Sequence, residues 1–259
     1  MDISLSQQLK SGRSLIGTLV TLASFESAEI LSSAGFDWLF LDLEHSALDI
    51  AAAQGILQVV AGRIPCLLRV PLNDEIWIKK ALDTGADGVI VPQVNTAEAA
   101  ARAVRFSKYP PRGGRSVGVS RAHGYGEGFE PYIARADRET CVVTQVEHIE
   151  AVRNIEQILA VEGLNALFIG PYDLSASMGL MGQVESSPVL EAIDTVRQAC
   201  RAHGMPLGIF TLSPARAKTH LAEGYALVAC GSDTSLLSQT ARRLAGDLSA
   251  SLSQKEITR

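Results

Sequence analysis

The 259-residue sequence has few cysteines and few aromatic residues. Its four cysteines are scattered and form no C-x-x-C pair, so we expect reduced, mostly buried thiols in a cytoplasmic protein. They are Cys66, Cys141, Cys200 and Cys230. Aromatic residues make up 5% of the chain and hydrophobic residues 47%, which predicts an aliphatic core of Val, Ile, Leu and Ala.

Long apolar runs and basic clusters are also missing. No run approaches the roughly 18–20 apolar residues that a membrane helix needs. The polar segment 1–13 lacks the apolar stretch of a signal peptide. The net charge of −5 and the absence of a basic stretch with interleaved aromatics give no reason to expect a nucleic-acid partner. The sequence therefore predicts neither a membrane nor a nucleic-acid interaction.

Short apolar runs alternate with amphipathic segments along the whole chain. The predicted strands are 15–22, 38–42, 66–69, 88–92, 142–147, 166–170, 207–211 and 227–231. The predicted helices are 24–33, 50–61, 75–84, 97–106, 150–159, 188–203, 214–223 and 234–250. Strands that alternate with crossover helices form a parallel sheet, and eight such units in about 250 residues fit one (β/α)₈ barrel.

We therefore predict a single barrel domain over residues 1–259. The alternative is an open doubly wound sheet, but no G-x-G-x-x-G turn follows the first strand. Five glycines support the barrel because each follows a helical pattern, where a left-handed cap is favoured. They are Gly35, Gly85, Gly163, Gly204 and Gly224.

Segment 108–138 interrupts this alternation. It is rich in glycine and arginine and shows no long periodic element. An irregular segment of this length in a compact domain is usually functional or a contact surface. We expect it to cover an end of the barrel or to pack between subunits.

Polar side chains follow the predicted ends of four strands. They are Asp42 with Glu44 and His45, then Arg69, then Gln145 and Glu147, and then Tyr172 and Asp173 after Gly-Pro. The reactive groups of such barrels gather at the carboxyl ends of the strands. The sequence therefore predicts that these side chains share one site.

Each of these residues, taken singly, also has a structural interpretation. Asp42 and Asp173 are typical turn or helix caps, and Glu147 would favour the start of a helix. A lone histidine such as His45 is usually exposed to solvent, or its ring nitrogens form hydrogen bonds within the fold, without a catalytic role. Arg69 is different, because a buried arginine needs an anionic partner. A purely structural role for the whole set is harder to accept than for any member.

The carboxylates favour one kind of chemistry. Glu147 and Asp173, with no nearby cysteine or second histidine, suit Mg²⁺ or Mn²⁺ better than zinc. Such an ion would bind a 2-oxo acid and stabilise its enolate, together with Arg69. None of the six lysines ends a predicted strand, so a Schiff-base mechanism has no obvious nucleophile. A G-x-S-x-G motif and a P-loop are also absent.

Over about residues 16–244 the chain resembles the HpcH/HpaI family of class II pyruvate aldolases. The resemblance lies in AGFDWLFLDLEHS, LLRVPLND, YPPRGGRSVG, TQVEHIEAVRNIEQILAVEGLNALFIGPYDLSASMG and VACGSDTSLL. It implies a barrel of the phosphoenolpyruvate/pyruvate type that reversibly cleaves a 4-hydroxy-2-oxo acid to pyruvate and a small aldehyde. It also implies dependence on Mg²⁺, Mn²⁺ or Co²⁺ and a homo-oligomer, either a trimer or a hexamer of two trimers.

The resemblance further implies catalytic roles. His45 is the expected base, Asp83 the carboxylate that raises its basicity, and Arg69 the stabiliser of the transition state. We add Asp42, which ends the neighbouring strand, to these catalytic candidates. Asp83 ends a helical pattern and should lie at the barrel end away from the site, so it should not reach His45 of its own chain. If it supports His45, we expect it to do so from a neighbouring subunit.

The binding residues follow from the same resemblance. Glu147 and Asp173 are the expected metal ligands, while Gln145 and the backbone of Tyr172 and Asp173 would bind the substrate. Leu19 stands where relatives have a bulky tryptophan, and Tyr172 stands where a small residue is usual. The acceptor aldehyde therefore cannot be inferred from the family.

Two alternatives remain open. The first is a CoA-ester lyase of the malyl- or citramalyl-CoA type, although such enzymes are usually longer and need a basic groove for CoA. The second is a non-catalytic pyruvate-binding relative. Such a protein should have lost at least one of His45, Arg69, Glu147 and Asp173, and all four are present.

Overall fold

The computed structural model describes residues 4–257, with side chains for residues 4–251. Eight parallel strands form a closed barrel in which neighbours in sequence are neighbours in space, and β8 pairs with β1. The strands are β1 (Leu15–Val20), β2 (Trp38–Asp42), β3 (Cys66–Arg69), β4 (Gly88–Val91), β5 (Cys141–Val146), β6 (Ala166–Ile169), β7 (Leu207–Thr211) and β8 (Leu227–Ser232). The predicted (β/α)₈ barrel is confirmed, and the open sheet is excluded.

Twelve α-helices lie in the described part of the chain. They are α1 (Leu5–Lys10), α2 (Phe25–Ser32), α3 (Ile50–Val59), α4 (Glu75–Asp83), α5 (Ala97–Ser107), α6 (Phe129–Glu139), α7 (Ile149–Arg153), α8 (Ile155–Leu159), α9 (Pro171–Ser177), α10 (Ser187–His203), α11 (Pro214–Ala222) and α12 (Asp233–Ile257). The helix predicted at 150–159 is two helices that meet at Asn154. The five predicted glycine caps all have positive φ, as expected.

Segment 108–138 is more ordered than the sequence predicts. It contains a 3₁₀-helix (Arg121–Gly126) and most of α6, in which Phe129, Tyr132, Ile133 and Ala136 recur at helical spacing although only Ala136 is buried. The Arg121 guanidinium donates to the carbonyl oxygens of Leu57 (3.1 Å) and Thr84 (2.7 Å), near the carboxyl ends of α3 and α4. Because helices return the chain to the amino-terminal ends of the strands, the segment covers the end of the barrel opposite the predicted site.

The interior of the barrel is more aromatic than expected. Trp38, Phe40 and Phe168 contact one another with ring centroids 5.6–6.2 Å apart. Gly17 faces the indole, and a Cβ there would lie 2.4 Å from Trp38. The prediction of an aliphatic core is right for the layer between strands and helices, where Leu, Ile, Val and Ala dominate. In the middle of the barrel Leu, Ile, Val and Ala are still the majority, but the three aromatic rings join them.

Helix α12 leaves the barrel. Every described side chain from residue 239 to residue 251 is exposed, and so are Leu236 and Leu237 near its start. Its apolar residues Leu244 and Leu248 are each 60% exposed. No helix in the described part of the chain is long and apolar enough to cross a membrane. All four cysteines are unpaired thiols, and three of them are buried.

Candidate active site

An ion pair joins the carboxyl ends of β2 and β3. Asp42 and Arg69 are register partners in these parallel strands, so their side chains lie at the same level. Arg69 Nε donates to Asp42 Oδ1 (2.8 Å) and Nη2 donates to Oδ2 (2.6 Å). Both residues are buried, with 2% and 8% of their surface exposed. Burial alone would raise the pKa of Asp42, but the hydrogen bonds and charge of Arg69 outweigh it and hold that pKa below its ordinary value.

Asp42 also shapes the turn that follows β2. Its Oδ1 accepts the backbone N–H groups of Glu44 (3.0 Å) and His45 (3.3 Å). The capping interpretation of Asp42 is therefore correct, but the same carboxylate also fixes Arg69. The turn directs Glu44 inward and leaves the His45 side chain 63% exposed.

The third nitrogen of Arg69 faces two further groups. Nη1 lies 3.2 Å from Glu44 Oε2 and donates to Gln145 Oε1 at 3.5 Å. Glu44 Oε2 is buried, yet no hydrogen bond in the described structure satisfies it. Burial and the negative charges of Asp42 and Asp173 outweigh the attraction of Arg69 and raise the pKa of Glu44 to about 7.

Glu147 follows β5 directly and is held at both oxygens. Oε1 accepts the backbone N–H of Gln93 (2.7 Å), and Oε2 accepts the side-chain amide of Gln145. Gln93 has φ 53°, a conformation that few non-glycine residues adopt, and this turn after β4 directs its N–H at the carboxylate. Burial, with the charges of Glu44 and Asp173, raises the pKa of Glu147 to about 7. Glu147 does not cap α7, whose N-cap is His148.

Gly170 makes room for this pair. A Cβ at position 170 would lie 3.0 Å from Glu147 Oε2 and 3.1 Å from Gln145 Nε2, closer than most real contacts. Helix α9 begins immediately after it, and no side chain caps the start of α9. Asp173 lies in the first turn of α9 and is not its cap, so the capping interpretation of Asp173 is wrong.

Several of these groups line a cavity of about 140 Å³ at the carboxyl ends of the strands. It is lined by Leu19, Phe40, His45, Arg69, Gln145, Phe168, Gly170, Pro171, Tyr172, Asp173 and Phe210. An apolar floor with a few convergent polar groups is typical of a site for a small organic ligand. No lysine lines the cavity, which agrees with the sequence argument against a Schiff base.

Larger depressions occur elsewhere on the surface. One of about 690 Å³ lies between α1 and the carboxyl end of α3, and one of about 470 Å³ lies between the carboxyl ends of α10 and α11. Neither contains a predicted site residue. Volume alone therefore does not locate the chemistry, whereas the convergence of charged groups does.

Asp83 is the one predicted site residue that lies apart from the others. It ends α4, at the opposite end of the barrel, and its Oδ1 accepts a hydrogen bond from Arg115 Nη2 (2.6 Å). It is not part of the cavity lining, whereas His45, Arg69, Gln145, Tyr172 and Asp173 are. Within one chain Asp83 cannot support His45, as its position in the sequence indicated.

The structure adds groups to which the sequence analysis gave no role. Glu44 was expected in the shared site only because it stands between Asp42 and His45, and its contact with Arg69 was not predicted. Gly170 could have been found from the G-P-Y-D segment. The backbone N–H of Gln93 leaves no side-chain signal. Phe210 gave none either, because it reads as an ordinary apolar strand residue.

The comparisons with known proteins agree with this geometry. A family profile described as HpcH/HpaI aldolase/citrate lyase matches residues 15–240. The chain is 40% identical over 244 residues to a 4-hydroxy-2-oxovalerate aldolase of Rhodococcus jostii, covering 93% of this chain and 94% of the relative. It is also 40% identical over 254 residues to a 4-hydroxy-2-oxo-heptane-1,7-dioate aldolase of Escherichia coli, covering 96% of both.

A solved structure shows the same relationship. The crystal structure of an HpcH/HpaI aldolase/citrate lyase family protein from Burkholderia cenocepacia superposes with a TM-score of 0.91. It is 33% identical in sequence, and the match covers 94% of this chain and 98% of that chain. The family match spans the whole barrel and includes every residue of the cavity. The chain belongs to the HpcH/HpaI aldolase/citrate lyase family.

Proposed function

We propose that this protein is a class II aldolase that reversibly cleaves a 4-hydroxy-2-oxo acid to pyruvate and a small aldehyde. The observation that carries the proposal is the convergence of one buried arginine and three carboxylates beside a small cavity that no lysine lines, with Arg69 and Asp173 in its lining. The three carboxylates are Glu44, Glu147 and Asp173. The names of the two 40% identical relatives support the same reaction class.

The residues present fit a divalent cation. Glu44 Oε2 is buried without a hydrogen bond, and burial, together with the neighbouring negative charges, raises the pKa values of Glu44 and Glu147 despite the nearby Arg69. No group of three or more His, Cys, Asp or Glu residues in the described part of the chain is arranged as a complete metal cage. Two carboxylates, Glu147 and Asp173, with water and substrate oxygens would suit Mg²⁺, Mn²⁺ or Co²⁺. When bound, such an ion would act as a Lewis acid on the 2-oxo acid.

The chain's own residues would then hold the substrate and move its protons. Arg69 is fixed by Asp42, and its Nη1 remains directed at the cavity to stabilise an oxyanion. Gln145 is anchored by Glu147 and reaches the same space. The first N–H groups of α9, at Tyr172 and Asp173, have no acceptor within the helix and would bind a carboxylate. His45, on the exposed rim, would take or return the proton of the 4-hydroxyl group.

We also propose that the active enzyme is a homo-oligomer in which Asp83 supports His45 of a neighbouring subunit. Asp83 lies at the wrong end of its own barrel for this task. The neighbouring segment exposes Val117, Val119 and Tyr125, and α12 exposes its leucines. Exposed apolar surface is a feature of protein contacts. In a trimer, or a hexamer of two trimers, the barrel end that carries Asp83 in one subunit would meet the barrel end that carries His45 in another.

A screen of retro-aldol substrates tests the proposed reaction. Pyruvate release from 4-hydroxy-2-oxovalerate and 4-hydroxy-2-oxoheptanedioate would be followed with and without Mg²⁺, Mn²⁺ or Co²⁺ after chelation. We expect metal-dependent release that Glu147→Gln abolishes and Glu150→Gln, an exposed neighbour on α7, leaves intact. Cleavage only of acyl-CoA substrates would favour a CoA-ester lyase instead. Borohydride trapping of a pyruvate adduct would refute the metal mechanism.

Subunit exchange tests the role of Asp83. Inactive His45→Ala and Asp83→Ala chains would be mixed under conditions in which subunits demonstrably exchange. If the site is shared, mixed oligomers contain some sites with both native residues, and activity returns. Exchange without recovery would place Asp83 outside the site.

A further inference from the structure

The side chain of Arg115 is completely buried beside Asp83. Its Nη2 donates to Asp83 Oδ1 at 2.6 Å, and its Nη1 donates to the Tyr132 hydroxyl at 3.2 Å. The guanidinium carbon lies 4.6 Å from the centroid of the Tyr109 ring. None of the arginine side chain is exposed, and its buried Nε has no hydrogen-bond partner among the described residues.

This arrangement is poorly suited to stabilising the fold. A buried charge is costly to desolvate, and a buried donor without a partner adds to that cost. The counter-charge, Asp83, keeps 27% of its side chain exposed and could be solvated without Arg115. An apolar side chain of similar volume would fill the same space between Tyr109 and Tyr132. Stability alone therefore does not account for an arginine here.

The arrangement is well suited to holding a carboxylate in one orientation. Arg115 donates to Oδ1, and no described residue donates a hydrogen bond to Asp83 Oδ2. The platform beneath is rigid, because the Arg115 N–H donates to the Lys108 carbonyl oxygen (2.9 Å). The Lys108 ammonium in turn donates to the carbonyl oxygens of Asp137 and Thr140, both at 2.8 Å. One carboxylate oxygen is thus fixed, while the other has no described donor and belongs to a side chain that is 27% exposed.

We propose that Arg115 is a positioning residue, which fixes Asp83 so that its free oxygen can accept a hydrogen bond from His45 of a neighbouring subunit. This inference rests on the proposed role of Asp83. It assigns Arg115 no contact with the substrate. It also explains why the segment that carries Arg115 packs at the barrel end away from its own cavity.

The contact differs from that of the other buried arginine. Arg69 uses two nitrogens on Asp42, so a lysine cannot replace its fork. Arg115 uses one nitrogen on Asp83, so a single ammonium group can replace that contact. Arg115→Lys should therefore restore part of what Arg115→Met removes. A residue that only filled space would show the opposite order, with methionine the better substitute.

The test is a double-mutant cycle in the full-length oligomer. We expect Asp83→Asn to lower kcat/KM for retro-aldol cleavage by about 10–100-fold, as is typical when the group behind a functional histidine is lost. Arg115→Met should lower it by about tenfold, and Arg115→Lys by less. Because Arg115 acts through Asp83, the double variant should be no slower than Asp83→Asn alone. Arg112→Met, on the same segment and 74% exposed, is the matched control and should be unaffected.

Two further readouts separate positioning from a structural role. The pH profile of kcat/KM should change in the same way in Arg115→Met and Asp83→Asn, because both act on the same histidine. The oligomeric mass, measured by light scattering, should stay that of the wild type. If Arg115→Met is insoluble, the same double-mutant cycle can be measured with Arg115→Lys and its double variant with Asp83→Asn.

Four results would overturn the inference. Losses that multiply in the double variant, or an Arg115→Met protein that dissociates, would make Arg115 a structural residue. If Arg115→Met is fully active while Asp83→Asn is impaired, the positioning role of Arg115 is rejected and the role of Asp83 remains. Full activity of Asp83→Asn would reject the role of Asp83 in the proposed function, and the inference with it.

Discussion

Replacing Arg69 tests the centre of the site and separates its structural role from its chemical role. In Arg69→Met the Asp42 carboxylate, 2% exposed, loses its counter-charge. Breaking a buried pair by removing one partner typically costs about 3–5 kcal/mol of stability. Asp42 still accepts two backbone N–H groups, so we expect a loss near the lower end, about 3 kcal/mol. The same change removes the only arginine that lines the cavity.

The pH dependence of this loss has a defined sign. The folded pKa of Asp42 lies below its ordinary value, so the stabilisation by Arg69 is present above the ordinary pKa of an aspartate. It disappears as the pH falls through the folded pKa. The difference in unfolding free energy between wild type and Arg69→Met should therefore shrink in acid.

Two companion variants isolate the chemistry. Arg69→Met combined with Asp42→Asn removes both charges, so part of the stability should return while activity stays absent. Arg69→Lys keeps the charge but cannot bond both Asp42 oxygens and face Gln145 at the same time. Loss of one oxyanion-stabilising group typically lowers kcat by about 10²–10³, and we expect this for the lysine variant.

The assay is urea unfolding followed by circular dichroism, together with kcat for pyruvate release. Arg63→Met, in an exposed pair with Glu29, is the control and should change stability by less than about 1 kcal/mol. Near-native turnover of Arg69→Lys would show that the arginine is only structural. Recovery of turnover in the double variant would refute the reasoning in the same way.

Three further predictions concern the surroundings of this pair. Gly170→Ala places a Cβ 3.0 Å from Glu147 Oε2, and should weaken Mn²⁺ binding, measured by calorimetry, by about tenfold while the fold is retained. Tyr172→Ala opens an exposed part of the rim, so kcat/KM should rise for larger aldehydes relative to acetaldehyde, with stability changed by less than about 0.5 kcal/mol. Glu44 and Glu147 have pKa values raised from 4.5 to about 7. The metal-free protein should therefore lose stability as the pH rises from 4.5 to 7, because the folded protein holds these protons more tightly than the unfolded chain. A divalent ion should raise the melting temperature more at about pH 8 than at about pH 6.

Most of the fold could be predicted because each strand of the barrel is buried on both sides and reads as an apolar run. All eight strands lie within two residues of their predicted ends. Helices α1, α6 and α9 were missed for physical reasons. α1 and α9 span only 6 and 7 residues, too short for a period to show. α6 does have apolar residues at helical spacing, but it follows a stretch rich in glycine and arginine and buries only one residue.

The sequence predicted which residues meet at the site, but not which of them contact one another. Alternating strand and helix order places the ends of β2, β3, β5 and β6 at one mouth, which brought Asp42, Arg69, Gln145 and Glu147 together. The same logic put Asp83 at the far end, where the structure has it. Pair contacts depend on backbone detail that no pattern encodes. The N–H of Gln93 on Glu147 is one example, and the partner of Asp83, Arg115, is another.

The exchange of pyruvate methyl protons with solvent deuterium tests the central claim most directly, because it needs no aldehyde and reports enolate formation alone. NMR in D₂O should show exchange that requires a divalent ion, stops on chelation, and is lost in Glu147→Gln but kept in Glu150→Gln. Exchange that continues after exhaustive chelation, or that no divalent ion elicits from folded protein, would contradict a metal-dependent pyruvate aldolase.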